Sequence, residues 1–192
     1  GDLTVSMLQG KHGKQKKEFA KAIDWFKSHF QPDVFILTNA LLSGLVPDLQ
    51  KHFGRPVICT LQGDDIYLES LAPAHRKQCI DLVRQNCGLV DGFIATCQYY
   101  ADFMSDYLSI SRDKVHVIYP GLNLSGHGNG PNQPKPKEFT IGYFARICQE
   151  KGLHILVDAF RILNRIAPAG HPGFKLKVSG WLGDHNRSYL DS

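Results

Sequence analysis

The chain has 192 residues, 43% of them hydrophobic, 10% aromatic and 21% charged, with a formal net charge of +4. That composition supports a packed core and excludes a disordered or fibrous protein. The small positive excess favours anionic ligands, but it forms no extended basic stripe of the kind a nucleic-acid binder needs.

Apolar residues recur at helical spacing from Lys14 to Phe30, through Phe19, Ala22, Ile23, Phe26 and Phe30. The basic run Lys11–Lys17 that leads into this helix has no interleaved aromatic residues and reads as a solvated helix start. Gln31-Pro32 stops the helix, and Asp33–Thr38 reads as a buried strand. Residues 41–53 again have helical spacing, despite Pro47. The strand Pro56–Leu61 follows, and then the polar turn Gln62-Gly63-Asp64-Asp65. Pro73 is placed to start a helix that runs to about Cys87 and stops at Gly88. The strand Val90–Thr96, a helix over 98–109 and the strand Val115–Tyr119 complete an alternating series. Such alternation with short connections predicts an α/β fold, a Rossmann-like parallel sheet with helices on both faces. Ligands bind such sheets beyond the carboxyl ends of the strands.

Ser125–Lys137 holds three glycines and three prolines in thirteen residues, which predicts an interdomain linker over 125–138. It separates a first domain, 1–124, from the start of a second, 139–192. In the second, the strand Phe139–Phe144 leads into a tight basic loop, a helix over 152–167, the strand Phe174–Ser179 and the turn Gly180–Gly183. The chain then enters what reads as another helix. One strand–helix–strand unit makes no stable sheet domain alone, so both domains are expected to be incomplete and the chain to be cut at both ends.

The loop between Phe144 and the following helix carries Arg146 and Lys151, five residues apart, with Gly142 in the strand before it and Gly152 opening the helix. A helix N-terminus offers unpaired backbone N–H groups and partial positive charge. Arg adds a planar fork for two phosphate oxygens, and Lys adds a mobile point charge. Together they suit a pyrophosphate. The plain reading, a turn with two solvated cations, stands beside it.

The five cysteines are an odd number with no Cys-x-x-Cys spacing, so neither a disulfide framework nor a zinc site is expected, and the cytoplasm is the expected compartment. The nine histidines show no ligand-like cluster and read as surface or turn residues, and no Asp-x-Asp occurs. No run approaches the roughly 18 apolar residues of a membrane span. Gly1–Val5 is not a signal peptide, and it lacks an initiating Met.

The motif Gly142-x-x-Ala145-Arg146-x-x-x-Glu150-Lys151-Gly152, following a linker and the run Val117–Asn123, resembles the family-four (group 1) retaining glycosyltransferases of GT-B architecture. The end of the strand Val57–Asp65 resembles the same family, and the resemblance runs in order from about 33 to 183. It implies two Rossmann-like halves and transfer of a hexose from a nucleotide sugar (a UDP- or GDP-sugar) to a sugar or lipid-linked acceptor, with retention and without metal or cofactor. It further implies that Arg146 and Lys151 are catalytic and bind the donor diphosphate, and that Gln62, Asp65, Gly142 and Gly152 bind substrate. The chain departs from the family at Ala145, usually Gly, and at Gln62, often His; Gln cannot titrate near neutral pH, so Gln62 keeps a contact role and loses an acid–base one. Asp64 reads as a turn or capping residue.

The family's glycine-rich loop would precede Gly1 and its paired-glutamate motif would follow Ser192, so the chain is expected to be inactive alone. Peripheral membrane contact through a preceding segment stays open. Two other readings remain: a non-catalytic nucleotide- or partner-binding module, and a sugar-nucleotide epimerase or phosphorylase relative of the same architecture. No catalytic carboxylate–His set or pyridoxal lysine supports the last two enzymes.

Overall fold

The computed structural model describes residues 1–126, 139–168, 171 and 173–191. The chain divides into two compact units, Gly1–Asn123 and Leu124–Ser192. Most of the expected linker, residues 127–138, lies outside the described residues.

The first unit runs α1 (Asp2–Leu8), α2 (Lys16–His29), β1 (Phe35–Leu37), α3 (Val46–Phe53), β2 (Val57–Leu61), α4 (Asp64–Glu69), α5 (Pro73–Cys87), β3 (Gly92–Ala95), α6 (Gln98–Leu108) and β4 (Val115–Val117). The four strands form one parallel sheet in the order β1-β2-β3-β4. Its register pairs Leu37 with Cys59, Cys59 with Phe93 and Phe93 with Val115. Parallel neighbours need a crossover connection, and helices supply each one here. The parallel sheet flanked by helices is the Rossmann-like arrangement that the alternation predicts, but among the described residues the helices that build the core pack on one face of it rather than on both.

Burial shows where the core lies. Val57, Cys59 and Leu61 alternate with half-buried residues along β2. Together with Leu37, Phe93, Ala95 and Val115 they join Val46, Leu49, Val83, Met104 and Leu108 from the helices in one cluster. On the other face of the sheet Ile36 is 59% exposed, and His116 is exposed as well. The core therefore fills the layer between the sheet and α3, α5 and α6.

Three differences from the expected elements have physical causes. Only Val46–Phe53 of the segment 41–53 is α-helical, while Ala40–Leu45 winds as a tighter 3-10 helix. Pro47 has no N–H to give to Ser43, and its ring would crowd that carbonyl, so an α-helix can begin there but not pass through. The short helix α1 was not expected; it is tied in by Thr4 Oγ1–Tyr67 Oη at 2.6 Å and His75 Nε2–Asp2 Oδ1 at 2.8 Å. The polar turn Gln62–Asp65 opens α4, which has no apolar periodicity of its own.

The second unit contains β5 (Phe139–Phe144), α7 (Leu153–Ile166), β6 (Phe174–Ser179) and α8 (Arg187–Asp191). β5 and β6 pair in parallel over their full lengths, from Phe139↔Phe174 to Phe144↔Ser179. Among the described residues, no helix is long and apolar enough to cross a membrane.

Candidate functional site

In the second unit the cationic loop continues the β5–β6 pairing before it turns away. Ala145 N–H donates to Ser179 O at 3.3 Å, and Ile147 N–H to Trp181 O at 2.9 Å. This close approach needs Gly180, because a Cβ there would lie 1.7 Å from Ala145 O. Ile147 and Cys148 are buried and anchor the loop, leaving Arg146, Glu150 and Lys151 in solvent.

A single phenol closes the loop. Tyr143 Oη lies 3.2 Å from Arg146 O and 3.4 Å from Lys151 O, so its one proton is shared between the two ends. The backbones of the two predicted phosphate ligands are thus held by one side chain on β5. Glu150 stands between them, its carboxyl held below the usual range by its own backbone N–H, by Cys148 and then by Arg146 and Lys151. Ionised, it cancels one of the two positive charges.

Gly152 takes φ +68°, a left-handed conformation that a side chain would strain, and becomes the N-cap from which α7 starts. In the first turn His154 N–H donates to Tyr189 Oη at 3.1 Å, and His154 Nδ1 lies 2.8 Å from the same oxygen. One N–H of the expected phosphate cradle is therefore taken by α8. Gly142 faces open space, with nothing within 4 Å of where a Cβ would stand.

In the first unit the turn after β2 is built around Asp64, which is 3% exposed. Its carboxylate accepts Ala40 N–H at 2.7 Å and Gln62 N–H at 3.0 Å, tying the end of β1 to the end of β2. Burial pushes its pKa above the usual carboxylate range, and those N–H groups oppose the shift. Asp64 is thus a turn residue. Gln62 folds back over the same turn: its Nε2 donates to Thr60 Oγ1 at 3.0 Å and Thr38 O at 3.4 Å. Asp65 accepts Tyr100 Oη–H at 2.7 Å, while Tyr100 Oη accepts Gly63 N–H at 2.6 Å. Burial and the Asp65 carboxylate hold the Tyr100 phenol protonated well above its ordinary value.

A family model described as Glycosyltransferase Family 4 matches residues 7–125, more than half of the chain. The chain belongs to glycosyltransferase family 4. No curated protein matches it. The family-4 match covers β1–β4 with Gln62 and Asp65. Gly142, Arg146, Lys151 and Gly152 lie beyond it, so roles there rest on the geometry of the loop itself.

The structure thus places the candidate residues of the family-4 chain in two groups, one in each unit. Three tyrosines that organise them, Tyr100, Tyr143 and Tyr189, were not singled out from the sequence. Tyr143 offered a signal, a phenol three residues before Arg146 on an alternating strand; the other two act across 35 or more positions.

Among the described residues no three His, Cys, Asp or Glu side chains gather as a metal site would require. All five cysteines are free thiols, four of them buried, and Cys97 is half-buried. Burial pushes the Cys87 thiol up to about 12. A thiolate is the reactive form, so a disulfide reagent should modify Cys97 rapidly in the native protein and the other four only on unfolding. Five equal rates in a native thiol titration would show instead that the core opens freely.

Proposed function

We propose that the protein transfers a hexose from a nucleotide sugar to a sugar or lipid-linked acceptor, retaining the anomeric configuration and using no metal. The observation that carries this reading is the cationic loop that Tyr143 closes at both ends, in a chain of a glycosyltransferase family. As the acceptor oxygen bonds to the anomeric carbon, the carbon–oxygen bond to the diphosphate breaks and its electron pair moves onto the diphosphate. The acceptor's proton passes to that leaving group, which assists attack from the same face. Arg146 and Lys151 neutralise the charge that grows there, and preorganised charge of this kind stabilises the transition state more than the ground state. Gln62 and Asp65 sit at the carboxyl end of β2, where α/β sheets take their ligands, and are assigned to substrate contact.

The test is to titrate UDP-glucose, UDP-N-acetylglucosamine and GDP-mannose into the protein, with and without EDTA. Saturable binding of one donor, unchanged by EDTA and weakened by Lys151→Ala, is the expected result. Binding that requires a divalent cation would overturn the metal-free part of the reading, and indifference to Lys151 would remove the loop from the site.

A further inference from the structure

α4 has six residues, too few for a helix to hold its own shape in water. It opens at the turn that carries Gln62 and Asp65, and two phenols on α6 pin it. Tyr100 Oη donates to Asp65 Oδ1 at 2.7 Å, and Tyr107 Oη donates to Glu69 Oε1 at 2.8 Å. Glu69 has a second partner in Arg76 Nη1, at 3.0 Å. Among the described residues the Asp65 carboxylate is bonded by Tyr100 alone.

Tyr100 also reaches the backbone. Its Oη accepts Gly63 N–H at 2.6 Å, where Gly63 takes a left-handed φ of +83°. One phenol oxygen thus grips the chain on both sides of Asp64, by the amide before it and the carboxylate after it. Tyr100 is itself fixed: it is half-buried, packs against the core and stacks on Phe103 with centroids 6.2 Å apart. Burial and the Asp65 carboxylate keep the phenol protonated, so it stays a donor.

A carboxylate accepts hydrogen bonds at both oxygens. With Oδ1 tied to Tyr100, Oδ2 is aimed in one direction just beyond the carboxyl end of β2. An untethered Asp side chain samples several rotamers and has to be ordered when a ligand binds. Tyr100 does that ordering in advance.

We propose that Tyr100 is a positioning residue for sugar recognition: it holds the Asp65 carboxylate ready to accept a hydroxyl of the bound hexose. This role rests on the proposed function, in which Asp65 contacts substrate.

The experiment titrates UDP-glucose, UDP-N-acetylglucosamine and GDP-mannose into the full chain, with UDP and GDP beside them. A bare nucleoside diphosphate offers no hexose hydroxyl, so the ratio of the two affinities isolates the sugar contact. Tyr100→Phe keeps the ring and removes only Oη. It should weaken the preferred nucleotide sugar about three- to tenfold, the worth of one side chain's rotamer freedom. The matching diphosphate should stay within about twofold of the parent. Asp65→Ala should weaken the nucleotide sugar at least as much, and Tyr100→Phe on top of it should add nothing, because the two act through one contact. Tyr107→Phe makes the same chemical change on the same helix, with Glu69 still held by Arg76, and should leave the ratio unchanged. A parental ratio in Tyr100→Phe, full additivity with Asp65→Ala, or an equal effect of Tyr107→Phe overturns the positioning role and leaves the donor reading standing. Equal losses for nucleotide sugar and bare diphosphate overturn it too, since Tyr100 would then serve the fold alone. Failure of the parent to bind any of the three nucleotide sugars overturns the donor reading, and the positioning role falls with it.

Discussion

On the proposed function, replacing Arg146 by alanine should lower sugar transfer by the intact enzyme about 10²–10³-fold, the cost of removing one preorganised donor from a developing oxyanion. The effect should fall mainly on turnover. In the bound donor the diphosphate already carries charge that water and Lys151 can screen. The extra charge that appears as the sugar–phosphate bond breaks has fewer substitutes, so kcat should drop more than donor affinity. Arg146→Lys should recover only part of the loss, because an ammonium is a point charge and cannot grip two oxygens in one plane. Tyr143 sharpens the expectation: it holds the backbone of Arg146 and of Lys151, so removing the guanidinium leaves the loop in place. Steady-state kinetics of the wild type and both variants, with donor affinity measured separately, check this. Near-normal turnover in Arg146→Ala would take Arg146 out of the site.

The sheet was legible because its strands are short apolar runs bounded by strong breakers. Val57–Leu61 follows Gly54-Arg-Pro56, and Phe139–Phe144 and Phe174–Ser179 stand at their expected limits. The helix that Pro73 starts was legible for a similar reason, since proline fits a first helical turn. By contrast α4 could not be read locally. Its six residues, Asp-Asp-Ile-Tyr-Leu-Glu, are too short for a periodic pattern, and their partners lie far along the chain in Ala40, Tyr100 and Tyr107. The same holds for the site. The spacing of Arg146 and Lys151 is a local signal, and so is the need for a left-handed residue at Gly152. That a carboxylate at 65 is engaged by a phenol at 100 depends on the crossover bringing α6 beside the turn after β2, which no local spacing encodes.

Asp64→Ala should destabilise the first unit by about 2–4 kcal/mol. The carboxylate accepts two backbone N–H groups in a buried place, and each orphaned donor costs about 1–3 kcal/mol. Relief of the carboxylate's own burial returns part of that. Asp64→Asn should lose less, since its amide oxygen can serve one N–H while its NH₂ faces the other. The pH dependence has a definite sign. Burial raises the folded pKa of Asp64 above the unfolded value, so the folded state binds its proton more tightly. Stability from this group is greatest below the unfolded pKa and falls as pH rises through the folded one. The gap between wild type and Asp64→Ala should therefore narrow upward from about pH 4 and then level off. Urea midpoints followed by circular dichroism at several pH values measure that gap. A gap that widens with pH would mean that the two N–H bonds outweigh burial, and that the ionised carboxylate is the form this turn is built to hold.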